Sequence, residues 1–230
     1  MSVSADSILA AIRQAAAAGY SERLDLLARA AQLTRSFCRK LTRVEARRAR
    51  AVLVAVLEMP LVGKCALQCC NASYVHAVQL EAKSDVLAAY AHLDADAVIE
   101  LSPGLLARLA APESRRIALA AVKLIGRSPE GRRVHAALLL GALVHSRWQV
   151  VESAACSLGR LGLDAPDRAR GALAQALRHE QWQVRRAAAK ALGAITGGRH
   201  AALDRAAERD THTAVRYAAC KAIGKKLPWP

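Results

Sequence analysis

The sequence predicts an all-α protein built from stacked antiparallel helix pairs, and three observations carry that expectation. Hydrophobic residues make up 53% of the 230 residues while aromatics are only 3%. The apolar mass is therefore Ala, Leu and Val, which suits close helix packing better than strands. Four segments of the second half also align without gaps at successive offsets of 33, 34 and 31 residues, the self-similarity expected of a repeat array. Within each segment the matched apolar positions recur at i, i+4 and i+8, which is one stripe of an α-helix.

The four segments are Arg115–Gly126, Trp148–Gly159, Trp182–Gly193 and Thr213–Gly224. Ile117, Val150, Val184 and Val215 are equivalent, as are Ala121, Ala154, Ala188 and Ala219, and then Ile125, Leu158, Leu192 and Ile223. Small Ala in the middle of the stripe lets a neighbouring helix approach closely. Each segment closes on a glycine, the residue that most easily adopts the left-handed conformation ending a helix, so each is expected to be one complete helix.

A preceding helix is expected in every unit, at about Pro103–Ala111, Pro129–His145, Pro166–His179 and His200–Arg209. Ser102-Pro103 and Ser128-Pro129 place a capping hydroxyl before a proline at the first helical position, where the missing N–H costs nothing. Pro112 similarly opens the second helix of its unit. Leu143 and Leu177, like His145 and His179, recur 34 residues apart, so the first helices repeat as well.

Two antiparallel helices cannot bury both apolar stripes alone, and stacking such pairs passes one core along the array. The architecture expected is an α-solenoid. The segment Trp182-Gln-Val-Arg-Arg-Ala-Ala-Ala-Lys-Ala-Leu-Gly193, followed by Asp210-Thr-His-Thr-Ala-Val-Arg216-Tyr-Ala-Ala, resembles the HEAT-like repeats first recognised in phycobilisome lyases. The resemblance covers about residues 101–227 and implies four HEAT-like units there. It also implies that Arg185 and Arg216 are structural, each held by an acid of a neighbouring unit. Residues 1–100 are periodic enough to be helical, with Ile8, Leu9 and Ile12, then Leu24, Leu27 and Leu33, then Leu53, Val56 and Leu57. They read as diverged repeats and a cap, continuous with residues 101–227 in one solenoid.

Charge narrows the partner. Lys and Arg number 34 against 19 Asp and Glu, a net +15, and a field of that sign attracts polyanions or acidic protein surfaces. The balance is +5 over residues 1–60, −3 over 61–100 and +13 over 101–230. Six cysteines, Cys38, Cys65, Cys69, Cys70, Cys156 and Cys220, are scattered on expected helices, with no secretory signal pattern at the N-terminus. Reduced thiols in a cytoplasmic protein are expected. The longest apolar runs, Ala51–Leu57 and Ala136–Val144, fall short of the ~20 residues that span a bilayer.

Two basic features are candidate binding sites. On the second helices, the face opposite the apolar stripe lines the concave side of a HEAT-type stack. Stepping along it gives Leu119, Lys123 and Arg127; Glu152, Cys156 and Arg160; Arg186, Lys190 and Ala194; Tyr217, Lys221 and Lys225. Lys123, Arg127, Arg160, Arg186, Lys190, Lys221 and Lys225 then form a positive stripe; the same pattern also fits a solvated helix face. The second feature is a ridge of Arg35, Arg39, Arg43 and Arg47, spaced four apart with only Glu45 in opposition. Like charges at i, i+4 repel, so the ridge needs either an anionic partner or acids from the net-negative 61–100 segment. Aromatic platforms for stacking bases are scarce, and Trp148 and Trp182, equivalent positions, are expected to pack between repeats. Any nucleic acid would be held by its backbone.

Chemistry-bearing motifs are few. Cys65, Cys69 and Cys70 with His76 lack the second ligand pair of a structural zinc, and buried thiols are the expectation, with no metal. Deoxyhypusine hydroxylase, a HEAT-like family, holds two irons with repeated His-Glu pairs; here only His179-Glu180 has that dipeptide. No phosphate-cradling glycine loop, Gly-x-Ser-x-Gly or His-Glu-x-x-His occurs. The sequence therefore points to a non-enzymatic scaffold or adaptor without a cofactor, binding an acidic protein or a nucleic-acid backbone. The alternatives are a helical-repeat nucleic-acid enzyme of the alkylpurine DNA glycosylase type and a phycobilin-lyase-like protein, neither of which assigns catalytic residues here.

Overall fold

The computed structural model describes residues 3–62, 70–93, 97–110 and 114–225. Every regular element among them is helical, and the chain divides into two compact units, Met1–Ala97 and Val98–Pro230.

The first unit contains α1 (Ala5–Ala17), α2 (Tyr20–Cys38), α3 (Arg43–Arg48), α4 (Arg50–Glu58) and α5 (Cys70–Tyr90). Helix α2 packs along α5, with α1 and α4 against them. Ile8, Leu24, Leu27, Leu53, Val56, Leu57 and Leu87 fill the core. Lys83 is buried, and its Nζ donates to the carbonyls of Leu57 and Met59, groups left unbonded at the end of α4.

The second unit holds the repeats: α6 (Pro103–Leu109) with α7 (Arg115–Arg127); α8 (Pro129–Val134) and α9 (Ala136–Ala142) with α10 (Trp148–Gly159); α11 (Asp167–Ala176) with α12 (Trp182–Thr196); and α13 (Ala201–Arg209) with α14 (Thr213–Ile223). The second helices α7, α10, α12 and α14 pack each on the next, and each first helix packs on its own second helix. This is an all-α, solenoid-type stack of helix pairs. The core columns are in register: Ile117, Val150, Val184 and Val215 are at most 2% exposed, and Ala121, Ala154, Ala188 and Ala219 are all at 0%. The proline-started helices are capped as expected, Ser102 Oγ accepting from Leu105 N–H at 3.2 Å and Ser128 Oγ from Gly131 N–H at 2.9 Å. Pro112 lies outside the described residues.

Two expectations are corrected. The helix expected over Pro129–His145 is interrupted at His135, whose backbone leaves helical geometry at φ −104° and ψ 22°. This residue is 2% exposed, and its Nε2 faces the Val98 carbonyl at 3.4 Å. The repeat glycines also differ in role. Of the four, only Gly224 has a positive φ, 71°. Gly126, Gly159 and Gly193 are helical, and a side chain there would collide with the next second helix: with Ser157, Ala191 and Ala222 respectively. A Cβ on Gly159 would lie 2.7 Å from the Ala191 Cα. These glycines set how closely successive repeats approach, while the left-handed cap of α12 falls to Gly197, φ 61°.

Candidate binding face

The inward stripes of α7, α10, α12 and α14 are consumed by the core, which leaves the opposite faces to solvent. Between α7 and α10 those faces enclose a groove of about 590 Å³. Its walls include Leu119, Lys123 and Arg127 from α7, and Glu152, Cys156 and Arg160 from α10 and its end. These are the six positions that the i, i+4, i+8 stepping selects in the first two units. Gln149, Ser153 and Ser157 add neutral polar groups.

The seven basic residues of the stripe are not equivalent. Lys123, Arg127, Lys190 and Lys221 are exposed, and none has an ion-pair partner among the described residues. Arg186 lies 3.6 Å from Glu152 and 5.2 Å from the centre of the Trp182 ring, which fixes its guanidinium between two repeats. Arg160 follows the last residue of α10, and its Nη1 donates to the Gly126 carbonyl at 3.2 Å. That carbonyl also accepts from Arg132 Nη1 at 2.7 Å. Burial and then the charge of Arg160 lower the Arg132 pKa. Lys225 leaves the stripe: the left-handed turn at Gly224 redirects it to α13, 3.5 Å from Asp204 and 3.6 Å from Glu208. Stepping by four fails there because the helix has already ended.

Cys156 lies on the groove wall beside Glu152. Its pKa is raised by desolvation and then by Glu152, which together outweigh Arg160, Lys190 and Arg186. The thiol is exposed yet not activated as a nucleophile. Among the described residues no cluster of His, Cys, Asp and Glu is arranged to hold a metal. Cys65 and Cys69 lie outside those residues, as does the side chain of Cys70; His76 Nδ1 contacts the Val62 carbonyl.

The arginine ridge does not run along one helix. Helix α2 ends at Cys38, and Thr42 opens α3 with a capping box: Thr42 Oγ1 accepts from Glu45 N–H, and the Glu45 carboxylate accepts from Thr42 N–H at 2.8 Å. The backbone and side-chain hydrogen bonds from Thr42 hold the Glu45 carboxyl below its ordinary pKa. Arg35 pairs with Glu81, and Arg39 Nε lies 3.5 Å from Asp85 Oδ2, so these two residues of the ridge meet acids of α5. Burial raises the Asp85 pKa against the opposing charges of Arg39 and Arg35. Arg43 and Arg47 are exposed on α3.

Arg185 behaves as a structural residue. Its guanidinium binds Asp210 of the next unit and donates to the His179 and Glu180 carbonyls at 2.8 Å each. Arg216 makes the matching bond to the Asp210 carbonyl at 2.8 Å. Trp182 stacks on His212 of the next repeat with ring centres 4.1 Å apart and planes 4° from parallel, so its ring is used between repeats. A further device concerns His145 and His179: their Nδ1 atoms accept the backbone N–H of Arg147 at 2.9 Å and of Gln181 at 3.0 Å. Their 34-residue recurrence in the sequence is the trace of this turn.

Comparison with known proteins agrees with this architecture. Residues 161–224 match the family model for HEAT repeats. No curated protein matches the chain in sequence. Among solved structures, a computationally designed armadillo repeat protein for modular peptide recognition is 15% identical, with 92% of this chain and 98% of that chain covered and a TM-score of 0.55. A designed armadillo repeat protein in complex with the peptide (KR)4 is 14% identical, over 93% and 98% of the two chains, with a TM-score of 0.55. An engineered protein is 15% identical over 95% of both chains, with a TM-score of 0.51. The chain has a helical-repeat fold of the solenoid class. The repeats within residues 161–224 are HEAT-like. No helix among the described residues is long and apolar enough to cross a membrane.

Proposed function

We propose that this scaffold is a non-enzymatic adaptor whose second-helix face takes an extended acidic segment of a partner protein. The observation that carries the reading is the groove between α7 and α10, continued by Lys190 and Lys221 on the next two second helices. In it, Lys123 and Arg127 face solvent with no acid paired to them. Four exposed cations without counter-charge repel one another, and an acidic chain laid across the helices relieves that repulsion while leaving the core untouched. Arg160 and Arg186, tied to Gly126 and Glu152, act as fixed walls. One designed armadillo neighbour was solved with a basic (KR)4 peptide; the charge on this face calls for the opposite sign. The reading of residues 1–100 as diverged repeats of the same scaffold belongs to this proposal.

The test is a titration of the intact protein with a fluorescent poly-glutamate peptide, a neutral poly-glutamine peptide of the same length and duplex DNA. Tight binding of the acidic peptide alone, weakened in a K190A/K221A variant, supports the reading. Equal binding by the neutral peptide ends it. Preference for DNA transfers the face to nucleic-acid backbones, the other polyanion that a basic stripe suits.

A further inference from the structure

A second groove, of about 290 Å³, lies between the first helices α11 and α13 and involves none of the stripe residues. Ala174, Leu177, Ala202 and Ala206 form its apolar lining, together with Arg178, Arg205 and Arg209. The three arginines are exposed and have no ion pair among the described residues. The acid in the lining, Asp210, is 7% exposed at its side chain and already bound by Arg185.

Helix α13 produces this concentration by sorting its charges. Asp204 and Glu208, one turn apart, point to Lys225, just past the end of α14. Arg205 and Arg209, also one turn apart, point to the groove. Arg178 and Arg209 sit at helix C-termini, where a cation is favoured in any case. Arg205 is in the middle of α13, so the dipole does not account for it. Nor does the repeat pattern: at the preceding junction the positions matching Arg178, Arg205 and Arg209 are Val144, Ala174 and Arg178. The cluster belongs to one junction of the array.

We infer that this groove recognises a phosphorylated side chain on a segment of a partner protein. Guanidinium forks match phosphate oxygens bidentately, and three cations with no free acid favour a dianion over a single carboxylate. A polyphosphate backbone is better served by cations repeated along the array, as on the second-helix face. A single cluster beside an apolar lining of Leu177 and three alanines suits one phosphate flanked by apolar groups.

The experiment is a titration of the isotopically labelled full chain with N-acetyl-O-phosphoserine amide, read on the Arg Nε–H resonances. Saturable shifts confined to Arg178, Arg205 and Arg209 are expected, unchanged in the K190A/K221A variant. An R205A/R209A variant should bind roughly tenfold more weakly, as loss of two charge-assisted bonds implies. R178Q, with a single exposed change, provides the same readout if the double variant unfolds. The inference is overturned by absence of saturable shifts, by equal binding in the variants, or by inorganic phosphate binding as tightly as the capped phosphoserine. Stronger perturbation of the same resonances by duplex DNA overturns it too.

Discussion

Arg185 of one repeat and Asp210 of the next form a two-point clasp, with Nε 2.8 Å from Oδ2 and Nη2 3.1 Å from Oδ1. Their side chains are 13% and 7% exposed. Burial alone would raise the Asp210 pKa, but the bonds from Arg185 and the His212 N–H, with the charge of Arg185, bring it below the ordinary value. An R185A variant leaves a buried carboxylate half-satisfied and should lose about 2–4 kcal/mol of stability. The pH dependence has a definite sign. A carboxyl depressed in the folded state stabilises the protein above its unfolded pKa, and that contribution disappears as pH falls through the folded value. Melting of the native protein should therefore drop below about pH 4, with a shallower drop in a D210N variant. Parallel curves would show that the clasp contributes nothing through Asp210 ionisation.

The glycines provide a pair of substitutions with opposite signs. Gly171, inside α11, has nothing within 4 Å of a Cβ built on it, so G171A should stabilise by about 0.5–1 kcal/mol through helix propensity. A Cβ on Gly159 would lie 2.7 Å from the Ala191 Cα, so G159A should destabilise by about 1–3 kcal/mol despite the same propensity gain. Ala188→Leu, in the fully buried Ala column, should act like G159A. Chemical denaturation of the variants measures all of these, and a stabilised G159A would mean that the repeats are not in close contact there.

The core of the second unit was legible in the sequence because its columns depend on spacing alone: Val150, Val184 and Val215 are buried in register. The glycine column was equally visible, but its cause was not, since one sequence shows Gly159 without showing Ala191 opposite it. The Arg35–Arg47 ridge illustrates a signal that was present and outweighed. Thr42-Arg43-Val44-Glu45 is a capping box written in the sequence, and it starts a new helix in the middle of the four-residue series. Lys225 escaped for a related reason, because extrapolating a helical face past Gly224 ignores the turn that the glycine makes. Pairings between distant residues, such as Trp182 with His212 or Arg160 with the Gly126 carbonyl, require coordinates.

His135 should make the second unit acid-sensitive well above the carboxylate range. Desolvation lowers its pKa, with the Val98 carbonyl contact opposing weakly. The unfolded chain then takes up a proton first, so stability declines as pH falls below about 6.5 and levels off once the folded state is also protonated. An H135Q variant should lose this dependence between pH 7 and 5 in thermal melts. Retention of the full slope would assign it to other groups.

The cysteines should behave as thiols of unequal access. Burial, reinforced by Asp85, pushes the Cys38 pKa up to about 12, and Cys220 is also buried. Cys156 is exposed but carries a raised pKa. Alkylation at pH 8 followed by peptide mass mapping should label Cys156 ahead of Cys38 and Cys220, and more slowly than an ordinary thiol. Elemental analysis of protein purified without chelator should find no stoichiometric metal, and one zinc per chain would count against this.

The second-helix face links repeat geometry to function through its response to salt. Each cation that neutralises a charge on a polyanion releases condensed or screening ions, so affinity must fall as ionic strength rises. For duplex DNA the log–log slope is about −0.9 per phosphate contacted, whereas a short acidic peptide carries no dense condensed layer and should respond less steeply. Lys190 and Lys221 are exposed and have no ion pair among the described residues, so alanine at both should leave stability within about 0.5 kcal/mol. The K190A/K221A variant should flatten the DNA slope by roughly two units if DNA is held by the stripe. If the partner is an acidic protein segment, its binding should weaken in the variant by roughly tenfold or more at low salt, since the cations of the face act together. The difference should shrink as salt is raised. The remaining cations, Lys123 and Arg127 in the groove, should then account for the residual affinity, and K123A/R127A should remove it. If both double variants bind acidic peptide and DNA like the parent at every ionic strength, the face is a solvated surface, and binding must be sought at the Arg35–Arg47 ridge or at the α11–α13 groove.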